Sequence, residues 1–263
     1  MLNMDNAPLF FMDEIVFFRG LAIAWIVLAV AGFLALLWMP APYGRYARRS
    51  WGPLLDSRLG WVLMEGPSAV LFGLFFLLAP RPWTATEIVL LVMWEAHYIH
   101  RAFIYPFRRG GPGHPMPASV VAMGLGFHAI NGYLNGRWVF GLSGGYPNTW
   151  LTDPRFLAGA AIFLVGFVIN KHADAILRRL RSAGPGYSIP AGGLYRWVSC
   201  PNYLGEIIEW IGWAVATWSL AGLTFAVWTF ANLAPRALAH HRWYRRQFPD
   251  YPAGRRALIP GIC

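Results

Sequence analysis

The stretch 197-WVSCPNYLGEIIEWIGWAVATWS-219 is apolar enough to enter a lipid bilayer, yet it carries an amide and two acids near its start. Asn202, Glu206 and Glu209 lie at positions i, i+4 and i+7, so a helix places all three on one face, with Trp213 at i+11. An ionised group at the centre of a lone membrane helix costs roughly 2.5–3.5 kcal/mol, so it needs a partner, a cavity or a ligand. The stretch therefore predicts a membrane helix with one face turned toward a polar site.

The composition of the whole chain is typical of a membrane protein. Of its 263 residues, 57% are hydrophobic and only 13% are charged. The formal net charge of +10 comes mostly from Arg in short blocks between apolar segments, a pattern that orients membrane proteins and argues against nucleic-acid binding. No long linker divides the chain, so residues 1–263 are predicted to form one domain, and nothing indicates an obligate protein partner.

Seven apolar runs are long enough to cross about 30 Å of hydrocarbon. They cover residues 15–39, 61–80, 84–105, 117–136, 155–177, 203–220 and 221–241. With seven helices, sixteen basic residues fall on one side of the membrane and three on the other. The positive-inside rule then predicts an all-α integral membrane fold with its N-terminus outside and its C-terminus in the cytoplasm.

The balance of basic residues also suggests a host. One Lys stands beside 21 Arg, and the chain is rich in Ala, Gly and Trp, which points to a GC-rich bacterial genome. The predicted location is therefore the bacterial inner membrane, with the endoplasmic reticulum as the equivalent in a eukaryote.

Polar residues recur at helical spacing in several other predicted spans. Asn170, Asp174 and Arg181 lie at i, i+4 and i+11, within about 40° of one another around a helix. One interpretation is that such residues pair and hold helices together, as Glu206 and Arg236 would. A large polar ligand from the cytoplasm explains the set better, because it would also satisfy the unpaired donors. The other stripes are Trp61 with Glu65, Tyr98 with Tyr105, and Arg236 with His240 and Tyr244.

Glu65 differs from the other acids because it lies near the start of its predicted span and precedes Gly66, Pro67 and Ser68. Tyr98 is the other polar group at a comparable depth. A carboxyl group in an apolar pocket can stay protonated at neutral pH and donate a hydrogen bond. The Tyr98–Glu65 pair is therefore a candidate for polarising a substrate carbonyl, and the alternative is a plain hydrogen bond between helices.

Two further patterns carry no function. Residues 124–129 match the letters of a dinucleotide-binding fingerprint, but they follow no strand and lie inside a predicted span. The histidines form only two small clusters, His97 with His100 and His240 with His241, and His128 is isolated along the chain. A di-iron centre needs a larger ligand set, so no metal site is predicted.

Six segments of the chain match motifs of one known family. Two lie in the C-terminal half, 192-GGLYRWVSCPNYLGEIIEWIGWAVATWS-219 and 240-HHRWYRRQFPDYPAGRRALIPGI-262. Four lie upstream, 170-NKHAD-174, 131-NGYLNGRW-138, 97-HYIHRAFIY-105 and 61-WVLMEGPS-68. Together they resemble the steroid 5α-reductases, in register over about four-fifths of the chain.

The resemblance implies an NADPH-dependent membrane reductase of 3-oxo-Δ4-steroids, with hydride added at C5 and a proton at C4. Glu65 and Tyr98 would bind the C3 carbonyl as the catalytic residues, and Trp61 would line the steroid site. Residues 155–263 would bind most of the cofactor. The implied cofactor contacts are Tyr105, Asn170, Asp174, Arg181, Tyr187, Asn202, Glu206, Trp210, Arg236, His240 and Tyr244.

The sequence departs from the family pattern at three positions. Ser188 stands where familiar members place Arg, and this puts one cofactor contact in doubt. Ala239 shortens a run of three His to two, and Asn232 replaces an aromatic residue near the substrate pocket. The steroid preference is therefore open.

Three alternative functions remain. A reductase of a trans-2-enoyl thioester or of a polyprenol-type enone or enal, from the same superfamily, would keep the chemistry and change the substrate. A membrane methyltransferase of the isoprenylcysteine type would bind S-adenosylmethionine instead of NADPH. A channel or transporter would need a polar path open on both sides, whereas these stripes cluster toward the cytoplasm.

Overall fold

The computed structural model describes residues 7–47, 49–108, 115–184 and 186–261, and in these ranges the chain is mostly helical. The α-helices are α1 Ala7–Trp38, α2 Ser57–Leu77, α3 Ala85–Tyr98, α4 Tyr105–Arg108, α5 Ala118–Arg137, α6 Pro154–Ser182, α7 Pro201–Thr217 and α8 Leu220–Gln247. Two π-helical segments, Ile99–Ile104 and Trp138–Leu142, join α3 to α4 and extend α5.

The connections between the helices hold short regular pieces. The 3₁₀ turns are Gly44–Tyr46, Arg49–Trp51, Asn148–Thr152 and Gly193–Arg196. Strand β1, Leu54–Leu55, pairs antiparallel with β2, Met116–Pro117, and this ties the loop before α2 to the start of α5.

Each of the seven predicted spans coincides with a helical segment. Among the described residues, three helices are individually long and apolar enough to cross a bilayer: Asp13–Trp38, Ser57–Leu77 and Pro154–Ser182. Large apolar side chains on their surfaces are exposed, such as Val16, Val70 and Leu164. The chain is thus a predominantly α-helical integral membrane protein, and the count of seven spans and the orientation stay predictions.

Side-chain caps define where several helices begin. Asp56 accepts hydrogen bonds from two backbone nitrogens in the first turn of α2. Thr84 and Glu87 form a capping box at the start of α3. Asp153 caps α6, and hydrogen bonds from the side chain and backbone of Arg155 lower the pKa of its carboxyl to about 2. These caps satisfy backbone donors that would otherwise be unpaired at the helix ends.

Helices α6 and α7 are in backbone contact. A Cβ on Gly166 would clash with the backbone of Glu209, and a Cβ on Gly205 would clash with that of Asn170. Small residues at a crossing let two membrane helices approach closely. This contact brings Asn170 of α6 beside Asn202 of α7. The glycines in the contact are Gly159, Gly166, Gly205 and Gly212.

An aromatic core fills the space between α3, α7 and α8. The ring centroids of Trp210 and Phe225 are 4.1 Å apart, and those of Trp94 and Trp213 are 5.1 Å apart. Tilted and edge-to-face aromatic pairs add stability beyond their buried area. Tyr98 is enclosed in this core with only its hydroxyl group engaged in polar contacts.

Basic residues are paired differently on the two predicted sides of the membrane. Those predicted outside each have a carboxylate partner, in the pairs Arg81–Glu87, Arg137–Glu14 and Arg155–Asp153. In the described part of the chain, no basic residue of the predicted cytoplasmic loops and tail pairs with a carboxylate. The described basic residues on that side are therefore without an ion-pair partner, which is compatible with the predicted orientation.

Candidate functional site

Arg101 joins four helical segments at a buried cluster of carboxylates. Its Nε lies 3.6 Å from Oε1 of Glu65 on α2, its Nη1 lies 3.6 Å from Oδ2 of Asp174 on α6, and its Nη2 lies 3.6 Å from Oε2 of Glu206 on α7. Arg101 is 9% exposed and the three acids are also largely enclosed. One cation therefore faces three acids. The carboxyl groups can accept hydrogen bonds from further donors, such as those of a ligand.

Aromatic rings hold Arg101 from the other side. Its guanidinium carbon lies 4.9 Å from the ring centroid of Trp61 and 5.0 Å from that of Tyr105. The indole nitrogen of Trp61 donates a hydrogen bond to the backbone oxygen of Arg101 at 3.0 Å. Arg101 lies in the π-helical segment Ile99–Ile104, a geometry often found at functional sites. The predicted substrate residue Trp61 and cofactor residue Tyr105 thus meet at one side chain.

The α6–α7 contact supplies the next group of predicted cofactor residues. Asn170 Nδ2 donates to the backbone oxygen of Asn202 at 2.9 Å and to Oε2 of Glu206 at 3.4 Å. Oδ1 of Asn170 and both carboxylate oxygens of Asp174 are buried without a hydrogen-bond partner. Buried acceptors are costly to leave unpaired, so this wall of the site is suited to a ligand that carries donors.

Glu65 contacts a histidine as well as Arg101. Oε2 of Glu65 lies 3.4 Å from Nε2 of His128, and Nδ1 of His128 lies 2.9 Å from Oγ of Ser68. When the Ser68 hydroxyl donates to Nδ1, the imidazole carries its proton on Nε2 and directs it toward Glu65. His128 is therefore not isolated in space as it is along the chain.

The hydroxyl group of Tyr98 accepts a hydrogen bond whose direction is fixed by a chain of amides. The indole of Trp213 can only donate, and it donates to Oδ1 of Asn135 at 2.8 Å. Asn135 Nδ2 therefore donates to Oδ1 of Asn131 at 3.0 Å, and Asn131 Nδ2 donates to Tyr98 at 3.3 Å. The proton of the Tyr98 hydroxyl is left to donate elsewhere.

The predicted direct pair between Tyr98 and Glu65 is not made in this arrangement. Among the described side chains, Glu65 makes its polar contacts with Arg101 and His128, and Tyr98 makes its own with Asn131 and Ser68. The rings of Tyr98 and His128 lie edge to face with centroids 5.7 Å apart. The two candidate catalytic groups therefore adjoin one another through His128.

A second group of predicted cofactor residues lies under the loop that follows α1. Nε of Arg236 donates to the Tyr203 hydroxyl at 2.8 Å, and the guanidinium lies 3.7 Å from the ring centroid of Tyr43. Because Tyr203 accepts from Arg236, its own proton can go to Nε2 of His240, 3.1 Å away. Nδ1 of His240 then donates to Tyr46 at 3.3 Å. Burial raises the pKa of the Tyr46 hydroxyl.

Arg45 reaches the same region from the loop. Its guanidinium carbon lies 4.6 Å, 4.1 Å and 5.0 Å from the ring centroids of Tyr187, Trp243 and Tyr244. Nη1 of Arg45 and Nη1 of Arg236 are buried without a hydrogen-bond partner. Two guanidinium groups with unpaired N–H are suited to an anion such as a phosphate.

The remaining predicted residues have different surroundings. Trp210 belongs to the aromatic core, where its ring lies against those of Tyr98 and Phe225, and its predicted contact with the cofactor stays a prediction. Arg181 places its charge near Tyr105 and Asp174. Glu209 lies on the same stripe as Glu206 but does not contact Arg101. Its Oε1 is hydrogen-bonded to Nδ1 of His97 at 2.8 Å within the bundle.

Sequence patterns missed Arg101, His128, Asn131 and Asn135. Arg101 lies at i+3 from Tyr98 and i−4 from Tyr105, so helical spacing could have included it on the same face. Asn131 and Asn135 are four apart within an apolar run, which is the same kind of signal. His128 offers no comparable pattern, because its partners come from another helix.

Comparison with known proteins bears on what this site does. A model of the family described as 3-oxo-5-alpha-steroid 4-dehydrogenase matches residues 114–263. The chain is 42% identical to steroid 5-alpha-reductase DET2 of Gossypium hirsutum over 241 residues, which cover 90% of this chain and 93% of that protein. It is 45% identical to 3-oxo-5-alpha-steroid 4-dehydrogenase 1 of Homo sapiens over 221 residues, covering 83% and 85%. With the bovine protein of the same name, identity is 39% over 264 residues, covering 98% and 99%.

These relatives are eukaryotic, so they give no support to the bacterial host suggested by composition, which stays a prediction. Their names favour the reductase over the methyltransferase alternative. The matched region includes α5 to α8, and it therefore contains Asn131, Asn170, Glu206 and Arg236. By the family match and by identity over most of its length, this chain belongs to the steroid 5α-reductase family, also described as the 3-oxo-5-alpha-steroid 4-dehydrogenase family.

Proposed function

We propose that this protein reduces the C4–C5 double bond of 3-oxo-Δ4-steroids with NADPH, adding hydride at C5 and a proton at C4. Family membership supports the oxidoreductase class, and the relatives are named for steroid 5α-reduction. We infer the substrate from the names of these relatives and the nicotinamide cofactor from the oxidoreductase class.

The observation that carries the proposal is the position of Arg101. Its guanidinium lies 3.6 Å from Glu65, which is assigned to the steroid, and 3.6 Å from Asp174 and Glu206, which are assigned to the cofactor. Hydride transfer requires the two reactants to be held in contact and aligned. A single buried cluster that combines both sets of residues meets this requirement.

The unpaired polar atoms of the site fit a nicotinamide dinucleotide. Asp174 and Asn170 present buried acceptors, which suit the carboxamide N–H and ribose hydroxyl groups of such a cofactor. Arg236 presents a buried donor without a partner, which suits a phosphate. Tyr105, Asn202, Glu206 and the other predicted contacts would complete this binding surface. When bound, NADPH supplies the hydride, and the protein supplies alignment and a dry environment.

Tyr98 is the proposed electrophilic catalyst. Because Asn131 donates to its hydroxyl group, Tyr98 can direct its own proton to the C3 carbonyl oxygen of the enone. A hydrogen bond to that oxygen stabilises the negative charge that develops when the β-carbon accepts hydride. Glu65, held by Arg101 and His128, would set the charge and hydrogen bonding beside the same oxygen.

The lipophilic substrate and the helical surface support a membrane location. We infer that all seven predicted segments cross the bilayer, with the N-terminus outside and the C-terminus in the cytoplasm, where NADPH is available. The excess of Arg on the predicted cytoplasmic side supports this orientation. The proposed partners are the steroid, NADPH and membrane lipids.

The test is turnover by the purified full-length protein in detergent. NADPH oxidation should depend on an added 3-oxo-Δ4-steroid such as testosterone, and the product should carry hydrogen on the α face at C5. A trans-2-enoyl thioester offered in competition separates the nearest alternative. Oxidation driven by the thioester and not by the steroid would replace the proposed substrate.

A further inference from the structure

A cleft of about 310 Å³ opens between the π-helical segment with α4 on one side and α6 on the other. Its inner wall includes Tyr105 and Asp174, which belong to the proposed cofactor site. Its other lining residues are His100, Arg108, Phe167, Lys171, Ala175 and Arg178. None of these six is needed by the proposed reaction, and three of them are cationic.

Three cations, Arg108, Lys171 and Arg178, line this one cleft. Nζ of Lys171 donates to Nδ1 of His100 at 3.0 Å and lies 4.8 Å from the ring centroid of Phe167, so the ammonium group is held in place. An ammonium can only donate, so His100 accepts and is neutral. In the described part of the chain, Lys171, Arg108 and Arg178 form no ion pair with a carboxylate. The charges of Arg108 and Arg178 are therefore available to a ligand, whereas the charge of Lys171 is shared with the buried side chains of Glu209 and Asp174.

The cleft lies at the boundary between the apolar surface and the polar end of the bundle. On α6, Leu164 and Val168 are 60% and 57% exposed and precede Lys171 by two turns and one turn. On α4, Phe107 is 60% exposed and is adjacent to Arg108. A lipid could therefore place its acyl chains on these apolar residues while its headgroup enters the cleft.

We propose that Arg108, Lys171 and Arg178 form a binding site for the phosphate headgroup of an anionic phospholipid. Basic pockets between membrane helices recognise such headgroups. The adjoining apolar surface favours a lipid over free phosphate, because it would contact acyl chains. Arg108, Lys171 and Arg178 are not among the predicted cofactor contacts, which favours a lipid over a phosphate of the dinucleotide.

The test compares lipids on the full-length protein in detergent. Bound lipid is counted by native mass spectrometry during titration with phosphatidylglycerol or phosphatidylcholine. Wild type should retain one phosphatidylglycerol with a preference over phosphatidylcholine. Each cation near a headgroup contributes about fivefold, so the Lys171→Gln/Arg178→Gln double variant should lose about 25-fold in affinity for phosphatidylglycerol.

A matched control changes charge elsewhere by the same amount. Arg58 and Arg179 are exposed and lie outside the cleft, so Arg58→Gln/Arg179→Gln should keep the lipid preference. Equal loss in both double variants would overturn the proposal, because it would indicate general attraction to charge. If the test variant unfolds, Arg108→Gln at an exposed rim position should still weaken phosphatidylglycerol binding about fivefold, and unchanged binding would overturn the proposal.

Two competition arms separate the other sources of phosphate. Displacement of the lipid by inorganic phosphate at equal concentration would show an anion site without lipid recognition, and displacement by NADPH would assign the cleft to the cofactor; either result overturns the proposal. Turnover is measured alongside in phosphatidylcholine. The Lys171→Gln/Arg178→Gln variant should keep NADPH-dependent reduction there, so failure of the lipid site is distinguishable from failure of the proposed function.

Discussion

The side-chain amide of Asn131 donates a hydrogen bond to the hydroxyl group of Tyr98 over 3.3 Å, and the Trp213–Asn135 pair fixes the direction of that bond. Because Asn131 donates to Tyr98, the Tyr98 proton can be directed to a substrate oxygen, for which it would exchange its contact with Ser68. Tyr98→Phe should therefore lower kcat by about 10²–10³-fold, the usual loss when one donor to a developing oxyanion is removed. NADPH affinity should change little. Full turnover of Tyr98→Phe would contradict the assigned donor.

The orientation of the amide gives a directional prediction at Asn131. Asn131→Leu removes the donor and should lower kcat about tenfold, because the Tyr98 hydroxyl loses its orientation. Asn131→Asp should be worse, because a carboxylate only accepts and would compete with the substrate oxygen for the hydrogen bond that Tyr98 donates. Steady-state kinetics with a 3-oxo-Δ4-steroid compare the two variants. Higher turnover for Asn131→Asp than for Asn131→Leu would contradict the inferred direction.

Arg101 should affect both stability and ligand binding. Arg101→Gln leaves Glu65, Asp174 and Glu206 without their shared cation, and breaking a buried charge cluster in this way costs about 3–5 kcal/mol. Thermal unfolding in detergent measures the loss of stability, and titration with NADPH measures the loss of cofactor affinity. Arg58→Gln, at an exposed position of α2, is the control and should be neutral. Wild-type stability of Arg101→Gln would show that the acids are not held by this residue.

The close packing of α6 against α7 is predicted to require glycine at the contact positions. Gly166→Ala places a methyl group against the backbone of Glu209, and overpacking of this kind costs about 1–3 kcal/mol or more. The separation of Asn170 from Asn202 would increase as well. Gly126→Ala on α5 is the matched control, since its new methyl group meets open space. Equal unfolding temperatures for the two variants would refute the close contact.

The Cys200 thiol is predicted to be unreactive in the folded protein. It lies just before α7 and is 3% exposed, and burial raises its pKa to about 12 despite the nearby charges of Arg45 and Arg236. Only the thiolate reacts quickly with a maleimide, so at pH 8 labelling should require unfolding. The experiment uses a Cys263→Ser background and mass spectrometry before and after denaturation. Rapid labelling of the native protein would contradict the burial of Cys200.

Helical spacing predicted which of the clustered polar residues share a helix face. Asn170, Asp174 and Glu206 were grouped by their stripes, and the structure brings them together because α6 and α7 touch through glycine. Spacing could not show which stripe faces which, so Glu206 meets Arg101 rather than Arg236. The C-terminal residues of the α7 stripe do not join the Arg101 cluster. Glu209 is hydrogen-bonded to His97, and Trp213 donates to Asn135.

The residues that sequence reasoning missed depend on contacts between helices. His128 contacts Glu65 only because α5 packs on α2, and its position along α5 gives no sign of this. The sequence did not show that the loop holding Tyr43, Arg45 and Tyr46 belongs to the site. Its contacts with α8 exist because α1, which precedes the loop, packs against α8. Local pattern thus predicts the helices and their polar faces, and the pairing of those faces requires the three-dimensional packing.

The central claim is that Tyr98 and the Arg101 cluster hold an enone and a reduced nicotinamide in contact. Turnover with NADPH deuterated at C4 of the nicotinamide tests it most directly, with the steroid product examined by mass spectrometry and NMR. We predict that wild type transfers deuterium to C5 on the α face and that Tyr98→Phe binds NADPH but transfers almost none. Deuterium at another carbon, or equal transfer by Tyr98→Phe, would contradict the account.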